Sequence, residues 1–139
     1  CTGPAQNVLQ PGELLVALVF PAPAAHSGAA FERFIPRNEM DIAVANAAAA
    51  VTLSADGSTF TAARVSIGAV APTPLLVAAA IATMGKPVSA ETIALAADAS
   101  RAAVRPITDM RGSADQRRHL AGVLTTRVIE TAVERARKA

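Results

Sequence analysis

Two groups of charged residues have the types and spacing that chemistry requires, and the first follows a short apolar run. It consists of Arg33, Arg37, Glu39 and Asp41. Pro36 prevents a regular strand from continuing here, so we expect several of these charges to converge on one rim of the fold. Such a rim can meet an anionic or electron-rich ligand, because guanidinium groups bind anions. The alternative interpretation is a solvated turn that binds nothing.

The second group of charged residues lies in the segment 105–119. Within it, Asp109 and Arg111 precede the pattern SADQ at 113–116, which is typical of the start of a helix. Free backbone N–H groups at a helix start favour anions, so this segment can form an anion site. The alternative is that Asp109 and Arg111 only brace the crossing between two helices.

The remaining candidate residues do not form a catalytic or metal-binding set. His26 lies in a Pro/Ala-rich loop and His119 on a predicted helix, and neither has a second His or a Cys at ligand spacing. No serine has the surroundings of a nucleophile elbow, and no glycine-rich phosphate loop is present. We therefore predict no catalytic residue and no metal ligand.

The single cysteine is the first residue of the sequence, and it excludes an internal disulfide. Because the chain starts at Cys1 and not at Met, we expect a piece of a longer protein or a processed product. A processed Cys1 can act as an N-terminal nucleophile, with its α-amine as the base, or it can carry a lipid. The alternative is a small residue at a boundary.

Composition limits the classes of partner. The 139 residues suffice for one domain with a hydrophobic core. The chain has no Trp or Tyr and four Phe, which argues against a base-stacking platform for nucleic acid. The apolar run 66–85 contains Pro72 and Pro74 and changes from strand to helix periodicity, so it does not predict a membrane span. We expect a cytoplasmic protein.

Turn-forming residues divide the N-terminal part of the chain. Residues 1–24 form a unit of their own, with a predicted strand at 13–20. The Pro/Ala-rich loop 22–29 predicts a domain boundary. A short strand follows at 31–35 and carries Arg33 on one of its faces.

A β-hairpin is predicted next. Its first strand is rich in alanine, and its second strand alternates Val65 and Ile67 with polar or small residues. The Asp56-Gly57 pair marks the turn between them, because glycine adopts a positive φ without steric cost. The small side chains of the first strand predict a flat surface that helices can approach closely.

Three helices are predicted after the hairpin. They cover residues 74–84, the stretch between Ser89 and Pro106, and the stretch from Ser113 to the basic C-terminal tail. Strands followed by helices indicate an α+β domain. We therefore predict a three- to four-stranded antiparallel sheet followed by three helices packed on one face.

Four stretches of the sequence, in this order, resemble the FAD-binding medium subunit of the molybdenum hydroxylases, the carbon monoxide dehydrogenase and xanthine dehydrogenase group. They are LQPGELLVALVFP at 9–21, FERFIPRNEMDIAVANAAAAVTL at 31–53, ARVSIGAVAPTP at 63–74 and RPITDMRGSADQRRHLAGVL at 105–124. The combination of IGAVAPTP with PITDMRGS and two following arginines is specific. The resemblance covers nearly the whole chain.

The resemblance implies a domain division. Residues 29–139 look like the C-terminal α+β domain of the flavoprotein, and residues 1–24 look like the closing segment of the upstream FAD-binding domain. In that family, the glycine-rich loops that hold the FAD pyrophosphate lie further upstream, and this sequence lacks them. We therefore expect this piece neither to bind FAD nor to catalyse a reaction by itself.

The resemblance also gives the first charged group a role. Arg33 stands where the family usually has a Lys near the flavin edge, and Arg37 and Asp41 match the loop positions that follow. A cation there would stabilise the anionic reduced ring and raise its potential. The resemblance thus implies that Arg33, Arg37 and Asp41 are cofactor-binding residues. Where the family commonly has Tyr before Arg, this chain has Gln116, which fits a capping role.

The function that the resemblance implies is that of a domain of an oxidoreductase subunit. In such a complex a molybdenum-cofactor subunit oxidises the substrate, [2Fe–2S] clusters carry electrons, and FAD passes them to an acceptor. The domain would help to close the flavin site and to pack the subunits. Two alternatives stay open: a structural or interaction module without redox activity, and an N-terminal-nucleophile hydrolase that uses Cys1.

Overall fold

The computed structural model describes residues 2–37, 40–78 and 83–139. Within them the chain forms four strands and then two helices: β1 Ser27–Phe34, β2 Ala45–Leu53, β3 Phe60–Gly68, β4 Leu75–Leu76, α1 Ala90–Ala103 and α2 Ala114–Ala136. The strands pair in sequence order as one antiparallel sheet. This is the predicted α+β architecture with a four-stranded sheet.

The prediction of a first helix at 74–84 is wrong, and the described part of the chain has two helices. Leu75 and Leu76 pair with β3 as β4, and the N–H of Val77 donates to the carbonyl oxygen of Val65 at 2.8 Å. The open edge of β3 offers hydrogen bonds to the backbone after Pro74, and these replace the bonds of a helix turn. Residues 79–82 of the predicted helix lie outside the described residues.

The predicted strand at 13–20 is also wrong. No strand forms in the described residues 2–26, and the apolar side chains there are exposed, with Val16 at 93% and Val19 at 91%. An isolated extended segment has no stable ladder unless a neighbouring strand pairs with it. Cys1 lies outside the described residues.

The two faces of the sheet differ in burial. On the inner face the alternate residues of β2 are buried: Ala45, Ala47, Ala49, Val51 and Leu53. The residues of β3 that point to the same side are buried as well: Phe60, Ala63, Val65 and Ile67. The outer face carries exposed side chains, among them Phe31, Arg64 and Leu76. The described helices thus cover the inner face and leave the outer face open.

Helix α2 lies close against β1 and β2, and α1 packs against α2. The approach depends on small residues, as the alanine-rich strand predicts. At Gly28, an added Cβ atom would collide with the carbonyl oxygen of Ala132 and the backbone nitrogen of Ala136. A salt bridge of 2.9 Å between Glu32 and Arg127 also joins β1 to α2.

Each helix begins after a serine that caps it. Ser89 Oγ accepts the N–H of Thr92 at 3.2 Å at the start of α1, and Ser113 Oγ accepts the N–H of Gln116 at 3.1 Å at the start of α2. One face of α1 is buried, with Ile93, Ala96, Ala97, Ser100 and, just beyond the helix, Val104. None of the described helices has the length and hydropathy needed to cross a membrane.

The hairpin turn between β2 and β3 forms as predicted. Gly57 has a φ of +69°, a conformation that glycine adopts at least cost. The Asp56 carboxylate accepts hydrogen bonds from the hydroxyls of Ser54 and Ser58 and from the N–H of Ser58. These bonds lower the pKa of Asp56 to about 2, because they stabilise the charged carboxylate.

Candidate functional site

Arg33 lies near the end of β1 on the outer face of the sheet. Its pairing partner on β2 is Asn46, which in turn pairs with Gly68 on β3. Paired residues point to the same side of a sheet, so these three positions form one row across it. Arg33 is exposed, and its side chain has no hydrogen bond or ion pair to the residues that the structure describes. Its guanidinium is therefore available to a partner.

Arg37 and Asp41 meet in the connection between β1 and β2. Asp41 Oδ2 accepts hydrogen bonds from the backbone N–H of Arg37 at 3.1 Å and from its Nε at 3.5 Å. Asp41 Oδ1 accepts the N–H of Ile42 at 2.9 Å. The Asp41 side chain is only 9% exposed, whereas that of Arg37 is 73% exposed. Asp41 therefore shapes the connection, and Arg37 presents a cation to solvent.

Arg33, Arg37 and Asp41 together are called the charged rim below. The predicted convergence of charges is only partly visible. The structure brings Arg37 and Asp41 together, and it leaves both arginines exposed and outside the helical layer. Glu39, the fourth residue of the predicted group, lies outside the described residues. The rim combines two exposed cations with one carboxylate that is already bonded within the connection.

The second charged group forms a brace. Asp109 Oδ1 accepts the N–H of Arg111 at 2.9 Å and Nη2 of Arg117 at 2.7 Å. These two hydrogen bonds, that from the Arg111 backbone foremost, lower the pKa of Asp109. Asp109 is thus a charged partner of nearby groups, and Arg111 Nη1 lies 3.8 Å from its other oxygen.

Two of the backbone N–H groups in the first turn of α2 have side-chain acceptors. The N–H of Ala114 donates to Thr108 Oγ1 at 3.0 Å, and that of Gln116 donates to the Ser113 cap. The N–H of Arg117 makes the first hydrogen bond within the helix, to the Ser113 carbonyl oxygen at 3.0 Å. These contacts support the alternative interpretation, in which Asp109 and Arg111 belong to a structural brace.

The brace ties α2 to the sheet rather than only to α1. Arg117 is 4% exposed, and its Nη1 donates to the carbonyl oxygens of Val44 at 2.8 Å and Ala69 at 3.1 Å. The sequence alone assigns no role of its own to Arg117 within the second charged group. Its position one turn into the helix, after the cap, was the available signal, but nothing local indicates acceptors in distant segments.

Asn46 is a second residue whose place beside the charged rim is not predicted from the sequence. It lies between two buried alanines, Ala45 and Ala47, and points to the opposite, outer face beside Arg33. Its side chain lies over Gly68, where an added Cβ atom would be 2.6 Å from Asn46 Oδ1. The signal in the sequence is one polar residue within an alanine-rich strand, since asparagine is uncommon in strand interiors.

The surface has one depression beside the brace and another over the outer face of the sheet. One, of about 440 Å³, lies beside the brace, and its lining includes Ile42, Ala69, Arg105 and Arg111. The other, of about 560 Å³, lies over the outer face of the sheet, and its lining includes Phe31, Ala48, Ala50 and Arg64. The small side chains of the outer face leave room for a partner to lie against the sheet.

The described residues contain no group of three His, Cys, Asp or Glu side chains that could hold a metal ion. His26 is half-buried in a turn with a φ of +55°, and its carbonyl oxygen accepts the N–H of Leu53 at 2.9 Å. His119 is exposed on α2. The two histidines therefore belong to different parts of the fold.

The chain matches a known family and several known proteins. The family model of the CO dehydrogenase flavoprotein C-terminal domain matches residues 30–132. A xanthine dehydrogenase FAD-binding subunit of Escherichia coli O157:H7 is 34% identical over 137 residues, 97% of this chain and 46% of that protein. A carbon monoxide dehydrogenase medium chain of Afipia carboxidovorans is 37% identical over 136 residues, 94% of this chain and 45% of that protein.

Solved structures show the same fold. Carbon monoxide dehydrogenase from Hydrogenophaga pseudoflava superimposes with a TM-score of 0.89 at 34% identity, over 96% of this chain and 46% of that one. Quinoline 2-oxidoreductase from Pseudomonas putida 86 gives a TM-score of 0.86 at 33% identity, over 97% of this chain and 46% of that one. The chain spans about half the length of the curated relatives it matches. It belongs to the CO dehydrogenase flavoprotein C-terminal domain family.

Proposed function

We propose that this chain forms the C-terminal part of an FAD-binding subunit in a molybdenum hydroxylase. The observation that carries the proposal is the pair of exposed cations, Arg33 and Arg37, at one end of an open sheet face. It is supported by a relative named as a xanthine dehydrogenase FAD-binding subunit, which matches 97% of this chain, and by one named as a carbon monoxide dehydrogenase medium chain, which matches 94%. In this role the domain helps to close the flavin site and does not itself carry out the hydroxylation.

The charged rim suits the ring of FAD and not its pyrophosphate. When bound, FAD supplies a ring that takes up electrons and becomes anionic on reduction. The Arg33 side chain, which has no hydrogen bond or ion pair to the described residues, can place its cation beside that ring and favour the reduced form. Asp41 is bonded within the connection and acts by shaping the backbone beside Arg37. The FAD pyrophosphate would be held elsewhere, because this sequence has no glycine-rich phosphate loop.

The exposed N-terminal segment supports a division into two parts. Residues 1–24 would act as the closing segment of the upstream FAD-binding domain, and residues 29–139 as the C-terminal α+β domain. The segment exposes Val16, Val19 and Phe20, and contiguous exposed apolar residues mark an interaction surface. Pairing with strands of the upstream domain would bury these side chains and satisfy the backbone of the segment.

The partners of the subunit follow from the same proposal. A molybdenum-cofactor subunit and a [2Fe–2S] subunit would deliver electrons to FAD in a cytoplasmic complex. The outer face of the sheet beside the rim has space for packing against another domain or subunit. The substrate of the complex would be selected in the molybdenum subunit.

The proposal is tested in a flavoprotein that carries this chain at its C-terminal end. Arg33→Ala should lower the midpoint potential of the bound flavin, because the reduced ring loses a nearby cation. Arg64→Ala is the matched control, since Arg64 is exposed on the same face but about 13 Å along the sheet from the row of Arg33. An unchanged potential in Arg33→Ala would contradict the proposed role, and failure of the flavoprotein to retain FAD would favour a structural module.

A further inference from the structure

Arg117 is a buried cation that connects three separate segments of the fold. Its guanidinium donates to the carbonyl oxygens of Val44 and Ala69 and to the carboxylate of Asp109. These acceptors belong to the entrance of β2, the loop after β3 and the segment between the helices. A planar guanidinium has donors in fixed directions for all three acceptors, whereas a lysine ammonium concentrates its donors at one point.

Val44 lies at the base of the connection that carries Arg37 and Asp41. Its N–H donates to the carbonyl oxygen of Phe34 at 2.9 Å, which closes the connection, and its own carbonyl oxygen is held by Arg117. Asp41 lies three residues before Val44 and accepts the N–H of Arg37. The position of Arg37 and Asp41 therefore depends on the backbone of Val44, whose carbonyl oxygen is hydrogen-bonded to the buried Arg117 side chain.

Arg117 also donates to the segment after β3, which follows the last residue of the row that contains Arg33. Ala69 has a φ of +64°, which is strained for a residue with a side chain, and its carbonyl oxygen accepts from Arg117. Ala69 follows Gly68, which lies in one row with Asn46 and Arg33. One guanidinium thus fixes two segments that flank the rim.

We propose that Asp109 and Arg117 form a positioning pair for the charged rim. Arg117 is buried and does not face a cofactor, so it acts through the backbone of Val44 and Ala69. Asp109 balances the charge of Arg117 and accepts a hydrogen bond from its Nη2. The other terminal nitrogen, Nη1, donates to the carbonyl oxygens of Val44 and Ala69. The proposal rests on the proposed function only in that the rim faces a flavin.

The first test measures backbone hydrogen exchange in the 139-residue chain. In Arg117→Lys and Asp109→Asn, exchange at the N–H groups of Arg37 and Ile42 should rise about fivefold, the effect of losing one hydrogen bond. The N–H of Phe60, which is buried at the start of β3 and donates to the Lys86 carbonyl oxygen at 3.0 Å, reports global destabilisation and should not change. Asp109→Asn keeps the shape of the side chain, and it is the variant to measure if Arg117→Lys does not fold.

The matched control is the neighbouring pair Arg118 and Asp115. It has the same residue types on the same helix at 2.8 Å, but it is exposed. Arg118→Lys should leave exchange at Arg37 and Ile42 unchanged. Unchanged exchange at these two positions in Asp109→Asn, or an equal rise at the buried N–H of Phe60, would overturn the positioning role.

The second test measures the flavin potential in the flavoprotein that carries this chain. Arg117→Lys should lower the potential in the same direction as Arg33→Ala, and Arg118→Lys should not. If Arg33→Ala has no effect, the proposed function fails, and the exchange measurement alone decides the positioning role. If Arg33→Ala shifts the potential and Arg117→Lys does not, the positioning role is overturned.

Discussion

The hydroxyl oxygens of Ser100 on α1 and Thr125 on α2 lie 2.9 Å apart and are hydrogen-bonded, with both residues 0% exposed. Thr125 Oγ1 also lies 2.7 Å from the carbonyl oxygen of Ala121 in its own helix. This polar pair is buried in the contact between the two helices. It therefore fixes how the two helices are placed along each other, because sliding either helix would leave a buried hydroxyl without its partner.

Thr125→Val should lower the free energy of unfolding by about 1–3 kcal/mol, since it leaves the Ser100 hydroxyl buried without this partner. Urea denaturation of the chain measures the change. Thr126→Val is the control, because Thr126 is only half-buried and bonds within its own helix. The double variant Ser100→Ala/Thr125→Val should lose less than the sum of the single variants, and strict additivity would show that the pair is not coupled.

Gly28→Ala should destabilise the contact between β1 and α2. The added methyl group meets backbone atoms of Ala132 and Ala136, which cannot rotate away, so the helix must shift at a cost of about 1–3 kcal/mol. Thermal or urea unfolding measures the loss. A variant as stable as the parent would mean that α2 moves away from β1 without cost.

The control for Gly28→Ala is Gly85→Ala. Gly85 has open space around it and a φ of +75°, so this variant tests backbone strain without a collision. It should cost about 1–2 kcal/mol through the positive φ alone. The two variants separate steric contact at the sheet from conformational strain in a turn.

Asp56 should make the hairpin turn sensitive to acid. Its pKa in the folded chain, about 2, is below the usual aspartate value of 3.8. The charged carboxylate therefore contributes stability above about pH 4, and this contribution is lost as the pH falls from about 4 towards 2. Asp56→Asn should be less stable than the parent at pH 7, and the difference should shrink as the pH is lowered through this window.

Unfolding measured at a series of pH values tests the Asp56 prediction. Asp115→Asn is the control, since the Asp115 side chain is 94% exposed and has one exposed ion pair. A difference between Asp56→Asn and the parent that stays constant from pH 7 to pH 2 would contradict the role of the charge. The hydrogen bonds from Ser54 and Ser58 would then stabilise the turn equally well with a neutral side chain.

Local signals predicted much of this fold. The alternation of Val65 and Ile67 sets the face of β3, because side chains of a strand point alternately to opposite sides. Ser89 and Ser113 mark the helix starts, because a serine side chain satisfies an N–H that the helix leaves free. The Asp56-Gly57 pair marks the turn for an equally local reason.

Other elements could not be predicted from local signals, because a neighbouring segment decides them. Leu75 and Leu76 have an apolar pattern that suits a helix or a strand, and the open edge of β3 makes them a strand. The residues at 13–20 have a strand pattern but find no partner strand in the described chain. In both cases the hydrogen bonds available to the backbone, and not the side chains, determine the outcome.

By itself the sequence determined the α+β class, the two caps, the hairpin and the exposed arginines of the rim, since each follows from side-chain type and spacing along a few residues. Only the tertiary structure decided what Arg117 does. Its acceptor at Val44 is 73 residues away along the chain and its acceptor at Ala69 is 48 residues away. A buried guanidinium takes whichever carbonyl oxygens the folded chain brings within its reach, and no local pattern specifies them.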